Sequence, residues 1–114
     1  MCEVRRGDIC LIDLGAPQGC IQGGLRPAIV VQNNIGNQYS PTVLVAPVTS
    51  QLRKANIPTH VFLPSGSGGL KNDSLVLLEQ IQTINKNQIV RTIGALNQNQ
   101  IIHIDNAIKV SLAL

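Results

Sequence analysis

The alternation of apolar and polar positions along this chain predicts a series of short strands followed by one helix. Residues 8–14 alternate between apolar and polar side chains, and residues 26–33 form a nearly continuous apolar run, as in a strand buried on both faces. Glycine, proline and asparagine clusters separate the runs and predict turns, with one short helical turn possible in 34–41. The predicted strands span 8–14, 26–33, 42–48, 59–64, 73–84 and 89–96.

The end of the chain changes from strand to helix periodicity. Ile101, Ile104, Ile108 and Leu112 are spaced by three, four and four residues, which places them in one apolar stripe along a helix. Asn97, followed three residues later by Gln100, predicts an N-cap for that helix. Several short strands and one late helix predict a mainly β fold, a small and strongly bent sheet or barrel.

Composition agrees with one compact domain over residues 1–114. Hydrophobic residues make up 44% of the chain and charged residues 13%, which is typical of a globular protein. No run approaches the roughly 20 apolar residues of a membrane span, and the MCEVRRGD start predicts no signal peptide. We therefore expect a cytoplasmic protein without membrane contact.

The charge and the aromatic content restrict the ligands that this chain can bind. A net charge of +3 is mildly basic and suggests a polyanionic partner. Aromatic residues make up only 2%, with one Tyr, one Phe and no Trp, which argues against RNA binding on several aromatic stacking platforms. Any nucleic acid must then be held mainly by polar and charged groups.

The cysteines and histidines do not predict a metal or cofactor site. Cys2, Cys10 and Cys20 are odd in number and form neither a CxxC pair nor a cluster with histidine. His60 and His103 are expected to be structural or exposed. No phosphate-binding loop, dinucleotide fingerprint or Ser-His-Asp order is present, so no cofactor and no metal is predicted.

Arg26 is the first candidate for chemistry. It follows the Gly23–Gly24 pair and precedes Pro27, whose ring forces the preceding residue into an extended conformation. A guanidinium held in this way can pair with phosphate through two hydrogen bonds. The alternative is a structural salt bridge with a carboxylate at the strand edge.

Two further pairs of polar residues adjoin predicted strands. Thr49 and Ser50 follow the third strand, where hydroxyl groups either face a ligand or cap a turn. Glu79 and Gln80 lie inside the long run 73–84, where neighbouring side chains should point to opposite faces. A buried Glu79 would need a partner, and Arg26 and Arg91 are the candidates.

Four segments in series resemble the MazF/PemK toxins of bacterial type II toxin–antitoxin systems. They are RRGDICLIDL, QGGLRPAIVVQN, TVLVAPVTSQ and LLEQIQTI, and the likeness runs from Arg6 to the closing VSLAL. It is nearest to members from Gram-positive bacteria. The resemblance implies a strongly twisted SH3-like β-barrel with a C-terminal helix, working as a homodimer.

The resemblance also implies an activity. Members of this family cut single-stranded RNA at short sequence motifs, without a metal or cofactor, and thereby inhibit translation and growth. The 2′-hydroxyl attacks its own phosphodiester and leaves a 2′,3′-cyclic phosphate and a 5′-hydroxyl end. A cognate MazE-type antitoxin occupies the RNA groove and silences the enzyme.

Matching the family motifs residue by residue implies the roles of particular side chains. Arg26 and Thr49 are expected to be catalytic, because a fixed guanidinium and a hydroxyl donor can stabilise the charge that gathers on the phosphate oxygens. A guanidinium is protonated at neutral pH and cannot act as a general base, so Arg26 is expected to stabilise charge and to be the proton donor to the leaving oxygen, with the general base unassigned. The positions that the family implies for RNA binding are Arg6, Gln22, Gly23, Gly24, Ser50, Glu79 and Gln80.

The loop before Arg26 departs from the family pattern. Many relatives read GSEQGG where this chain reads GCIQGG, so Cys20 and Ile21 replace a hydroxyl and a carboxylate. A role of that glutamate in proton transfer or base contact therefore does not carry over. We expect the glycine-rich segment 15–24 to be a mobile lid over the RNA.

Two alternatives keep the fold and change the function. Toxins of the CcdB type bind DNA gyrase and depend on a C-terminal tryptophan, whereas this chain has no Trp and ends in SLAL. A relative without catalytic activity could bind only RNA or an antitoxin, although the presence of both Arg26 and Thr49 argues against it.

Overall fold

Antiparallel strands and two helices form the fold, close to the predicted bounds. The structure is a computed structural model that describes residues 3–52 and 57–114. Part of the loop predicted after β3 (49–58) lies outside the described residues, as does Cys2. The strands are β1 (Asp8–Asp13), β2 (Leu25–Val30), β3 (Thr42–Thr49), β4 (His60–Leu63), β5 (Ser74–Leu77), β6 (Gln82–Asn85) and β7 (Ile89–Ala95), and the helices are α1 (Asn34–Tyr39) and α2 (Gln98–Leu112).

One bent sheet contains all of these strands. Its order is β4-β5-β3-β2-β1-β7, and β6 pairs with the first half of β3. The central strand β3 therefore borders β6, β2 and β5, the last through Val48 and Thr49. The predicted mainly β fold with a C-terminal helix is confirmed. The barrel is not closed, since β4 and β7 end the sheet within the described residues.

The sheet is buried on both faces, which explains the continuous apolar run of β2. Ile29 belongs to the core that α2 covers, whereas its neighbours Ala28 and Val30 belong to a second core on the other face. Successive strand residues point to opposite faces, so a strand between two cores must be apolar at every position.

The strand predicted over 73–84 is wrong in its middle. It divides into β5 and β6, with a 3-10 turn at Leu78–Gln80 between them. Leu78 is buried and its backbone N–H donates to the Thr59 carbonyl oxygen (2.9 Å), while Ser111 Oγ donates to the Leu78 carbonyl oxygen (3.0 Å). These contacts bind the turn to the start of β4 and to α2. The predicted alternation of Glu79 and Gln80 on two faces of one strand does not apply.

Helix α2 begins as the sequence predicts. Asn97 Oδ1 accepts the Gln100 backbone N–H (2.9 Å), and Gln100 Oε1 accepts the Asn97 N–H (3.0 Å), a reciprocal capping box. Ile104 is buried, and Ile101 and Ile108 are partly buried against the same core. Leu112 is 57% exposed, so the predicted stripe does not reach the core at its last position.

No helix in the described part of the chain is long and apolar enough to cross a membrane.

Candidate functional site

A cavity of about 420 Å³ lies where β2, β3 and β7 meet the segment before β5. Arg26, Thr49 and Ser50, three of the residues predicted from the sequence, line it together. They come from two neighbouring strands of the sheet, β2 and β3, and from the residue that follows β3. The described residues that line it are Arg26, Pro27, Val48, Thr49, Ser50, Gln51, Gly69, Leu70, Lys71, Asn72, Ser74, Arg91 and Ile93.

The charged side chains of this cavity are all cationic. Arg26, Lys71 and Arg91 line it, and none of its described lining residues is Asp or Glu. Within residues 3–52 and 57–114, neither Lys71 nor Arg91 forms a side-chain hydrogen bond or an ion pair. Three cations that converge without carboxylates suit an anionic ligand, and an arginine side chain matches phosphate geometry.

Lys71 and Arg91 line the cavity although the sequence does not predict them there; the sequence makes Arg91 only a candidate partner of Glu79. Lys71 lies in a segment that reads only as a turn. Arg91 reaches the cavity through strand order: Leu11 of β1 pairs with Pro27 on one side and with Arg91 on the other. One cationic residue in an apolar strand and one in a turn do not by themselves predict a binding site. Only the order of the strands shows that they lie beside Arg26.

The local backbone fixes the position of Arg26. Its Nε donates to the Gly23 carbonyl oxygen at 2.8 Å, and the residue pairs with Ile12 of β1. Arg26 is half-buried and belongs to no ion pair in the described part of the chain. The salt-bridge alternative therefore finds no carboxylate here, and the two terminal guanidinium nitrogens remain available to a ligand.

Thr49 is 5% exposed at the end of β3 and accepts a hydrogen bond from the Gln51 backbone N–H through its Oγ1 (3.1 Å). This is the turn contact that the sequence allowed. It uses the oxygen only as an acceptor, so the hydroxyl hydrogen can still be donated into the cavity. The turn-cap and ligand-binding interpretations of Thr49 are thus compatible.

The glycine-rich segment before Arg26 forms a narrow hairpin. Three backbone hydrogen bonds close it, each from an N–H to a carbonyl oxygen: Leu14 to Gly24 (2.9 Å), Gly24 to Gly15 (2.5 Å) and Ile21 to Gln18 (2.9 Å). Gly24 has a φ of +78°, and a Cβ at Gly23 would overlap the backbone of Pro17. The hairpin therefore requires glycine at both positions for conformational and steric reasons.

Gln80 holds this hairpin from outside. Its Oε1 accepts the Gln22 backbone N–H and its Nε2 donates to the Cys20 carbonyl oxygen, both at 2.9 Å. The Gln22 side chain forms no hydrogen bond with the described residues. Cys20 is exposed, and Cys10 is buried, with its sulfur 3.8 Å from Thr92 Oγ1.

Two of the residues predicted for RNA binding have other partners. Arg6 forms an ion pair with Asp105 of α2 (2.7 Å), and its Nε donates to the Val31 carbonyl oxygen (2.9 Å). Glu79 lies 2.8 Å from His60 Nε2, so the expectation that Arg26 or Arg91 would be its partner is wrong. Neither Arg6 nor Glu79 lines the cavity.

The histidines keep structural or exposed positions, as expected. The His60 side chain is only 5% exposed and contacts Glu79, and His103 is exposed on α2. Among the described residues, no group of three His, Cys, Asp or Glu side chains is arranged to hold a metal ion.

Comparison with known proteins connects this geometry to a family. Residues 5–112 match the family model described as "PemK-like, MazF-like toxin of type II toxin-antitoxin system". The chain is 46% identical over 111 residues to an "Endoribonuclease MazF" of Staphylococcus epidermidis, covering 97% of this chain and 92% of the relative.

Solved structures show the same fold. MazF from Deinococcus radiodurans superposes with a TM-score of 0.84 at 19% identity, covering all of both chains. A mycobacterial endoribonuclease in complex with its cognate antitoxin superposes with a TM-score of 0.81 at 24% identity, covering 97% of this chain and 96% of the other.

Proposed function

The chain belongs to the PemK-like, MazF-like toxins of type II toxin–antitoxin systems, and from this premise we propose that it cleaves single-stranded RNA in the cavity between Arg26 and Thr49. The chain is an endoribonuclease toxin, like the staphylococcal relative to which it is 46% identical over nearly the full length of both. One observation carries the proposed site. A fixed guanidinium and a buried hydroxyl, on neighbouring strands, share one cavity in which every charged lining residue that the structure describes is cationic.

The proposed reaction is transfer within the RNA chain. The 2′-hydroxyl gives up its proton to a general base that we assign to no residue, and its oxygen attacks the adjacent phosphorus. The bond from phosphorus to the 5′-oxygen breaks, and the 5′-oxygen leaves and takes up a proton, for which Arg26 is the proposed donor. The products are a 2′,3′-cyclic phosphate and a 5′-hydroxyl end. Negative charge gathers on the non-bridging oxygens in the transition state, and groups already oriented toward them lower the barrier.

Each proposed catalytic group has a free donor for that charge. Arg26 presents its terminal nitrogens, because Nε is already occupied by the Gly23 carbonyl oxygen. Thr49 presents its hydroxyl hydrogen, because its oxygen already accepts from Gln51. Both side chains are oriented before RNA arrives, so little reorganisation is needed during the reaction.

Lys71 and Arg91 extend the positive charge beyond the proposed catalytic pair. Both are exposed and line the same cavity. We assign them to the phosphates that flank the scissile one, where a charged side chain strengthens RNA binding without entering the chemical step. Ser50, exposed at the cavity, and the free side chain of Gln22 are assigned to contacts with the RNA.

The partners proposed for this chain are a second copy of itself and an antitoxin. The mycobacterial relative is described in complex with its cognate antitoxin. With +3 on each chain, a dimer presents roughly +6, which suits an acidic and disordered antitoxin segment. Messenger RNA as the substrate places the proposed site of action in the cytoplasm.

A substrate with one changed nucleotide tests the proposed chemistry. We expect cleavage of a long RNA to persist in excess EDTA, because a cationic cavity without carboxylates repels divalent metals. A substrate with 2′-deoxyribose on the 5′ side of the mapped cut should remain intact, since the nucleophile is missing. Strict dependence on Mg²⁺, or cleavage of the deoxy substrate, would contradict the mechanism. Incubation with DNA gyrase is the control for the CcdB-type alternative.

A further inference from the structure

We propose that Gln80 is a positioning residue, which holds Arg26 in place through the hairpin 15–24 and does not itself contact RNA. This inference rests on the proposed function, because it assigns a role toward the Arg26 guanidinium. It replaces the expectation, based on family resemblance, that Gln80 binds RNA.

The side-chain amide of Gln80 is used on both ends within the protein. Its oxygen accepts the Gln22 N–H and its nitrogen donates to the Cys20 carbonyl oxygen, at 2.9 Å each. The Gln80 amide thus gives the backbone of residues 20–22 one donor and one acceptor, the two bonds that a neighbouring strand would otherwise provide. A base of the RNA could bond to the same amide atoms only by displacing the hairpin from them.

Gln80 belongs to a turn that is packed against the core. It ends the 3-10 turn Leu78–Gln80, and Leu78 is 1% exposed. The turn is tied to the start of β4 through the Thr59 carbonyl oxygen and to α2 through Ser111 Oγ. Gln80 therefore connects the exposed hairpin to the packed core formed by β4 and α2.

From Gln80 the connection continues to the guanidinium in two steps. Gln22 is followed directly by Gly23, whose carbonyl oxygen accepts Arg26 Nε at 2.8 Å. Gly23 is buried and packs against the backbone of Pro17, so it has little freedom to move on its own. If residues 20–22 shift, the acceptor that orients the Arg26 side chain shifts with them.

The consequence should appear in the chemical step. A misplacement of about 1 Å can lower the rate of an enzyme by on the order of 10². We expect Gln80→Ala to lower the single-turnover rate at saturating RNA by roughly tenfold to a hundredfold. Its affinity for an uncleavable 2′-deoxy RNA should change by less than about threefold, because Gln80 itself makes no RNA contact and Lys71, Arg91 and Ser50 keep theirs.

Two further variants separate positioning from general stability. Gln80→Glu keeps an acceptor for the Gln22 N–H and loses the donor to Cys20, so its rate should fall between those of the wild type and Gln80→Ala. Gln100→Ala is the matched control. It also removes a glutamine amide with two bonds, to the Asn97 N–H and to Ser67 Oγ, but on a helix cap outside the hairpin and the cavity.

Amide hydrogen exchange measures the contact between Gln80 and the hairpin without any RNA. The Gln22 amide should lose protection in Gln80→Ala, largely keep it in Gln80→Glu and keep it fully in Gln100→Ala. This measurement remains valid even if the wild-type protein does not cleave RNA. Failure of the proposed role of Gln80 and failure of the proposed function are therefore distinguishable. Unchanged Gln22 protection in Gln80→Ala would overturn the inference. So would weakened RNA binding with a normal saturating rate, which would make Gln80 an RNA contact. If Gln80→Ala does not fold, Gln80→Glu carries the rate measurement, and a wild-type rate at saturating RNA in that variant would overturn the inference.

Discussion

Arg26 Nε donates a 2.8 Å hydrogen bond to the carbonyl oxygen of Gly23, three residues earlier in the chain. The residue proposed to stabilise the transition state is therefore oriented by the hairpin that precedes it. Pro27 fixes the backbone of Arg26 from the other side. The side chain lines the cavity with Nε bonded and with its two terminal nitrogens unbonded to any described residue, so both can donate to an incoming phosphate.

Replacing Arg26 or Thr49 should remove the chemistry and leave the fold intact. We expect Arg26→Ala and Thr49→Ala each to lower the single-turnover rate by on the order of 10² or more, the usual cost of losing a transition-state donor. Arg5→Ala is the matched control, because Arg5 is exposed, lies outside the cavity and forms no side-chain hydrogen bond or ion pair with the described residues. Circular dichroism and thermal unfolding should match the wild type. If Arg26→Ala unfolds the protein, the residue is structural, and if it cleaves normally, the assignment is wrong.

Lys71 and Arg91 should control the salt dependence of RNA binding. For single-stranded nucleic acid, the slope of log K against log salt is about −0.7 for each neutralised phosphate. Gln replacements at Lys71 and at Arg91 should each make the slope shallower by up to about 0.7, measured with the uncleavable 2′-deoxy RNA.

The same two variants should leave the rate at saturating RNA within about threefold of the wild type, because neither side chain is assigned to the reacting phosphate. Lys109→Gln, on an exposed position of α2, removes one charge away from the cavity and should leave the slope unchanged. An equal decrease in Lys109→Gln would mean that only net charge matters. A large loss of the saturating rate in Arg91→Gln would place that residue in the catalytic group.

The candidate site shows where sequence reasoning succeeds and where it stops. Arg26 could be found because its signal is local: two glycines before it and a proline after it. The helix cap at Asn97 is local in the same sense. Lys71 and Arg91 could not be found, because only the order of the strands brings β7 and the segment before β5 to β2 and β3.

The error at residues 73–84 has a different cause. No glycine, proline, asparagine or aspartate interrupts LLEQIQTI, so no local signal marks the 3-10 turn. Tertiary contacts of Leu78 with Thr59 and Ser111 impose it. The same turn brings Glu79 to His60 and directs Gln80 toward the hairpin. The partners of both residues therefore differ from those expected for a continuous strand.

The outer side of α2 and β4 should form the contact between two copies of the chain. Phe62 of β4 is 55% exposed and Val110 of α2 is 54% exposed, and both line one shallow cavity of about 360 Å³. Large apolar side chains grouped on a surface in this way mark an interface. We expect a dimer at micromolar concentration, and we expect Val110→Asp to convert it to a monomer in sedimentation velocity. Ile35→Asp, at an exposed position of α1, is the control and should remain dimeric. A wild-type monomer, or a Val110→Asp dimer of unchanged stability, would contradict this assignment.

Cys20 should be dispensable for the chemistry, although it lies in the hairpin that leads to Arg26. The proposed nucleophile belongs to the RNA, and the next residue, Ile21, has no proton to transfer. The Cys20 side chain is exposed, and among residues 3–52 and 57–114 only its backbone oxygen has a hydrogen-bond partner, Gln80. Cys20→Ser keeps that backbone contact, so we expect most of the activity and an unchanged pH–rate profile.

Alkylation of the same thiol should give the opposite result. A bulky maleimide at Cys20 adds volume between the hairpin and the arriving RNA, so cleavage should stop, and bound 2′-deoxy RNA should slow the labelling. Cys2 and Cys10 are replaced first, so that the label reports a single site. Comparison of Cys20→Ser with the alkylated protein distinguishes a need for open space beside Cys20 from a need for the thiol itself. A lower rate in Cys20→Ser, or the loss of an alkaline limb from its pH–rate profile, would show that this thiol takes part in catalysis. Full activity after complete alkylation would show that RNA does not pass over the hairpin.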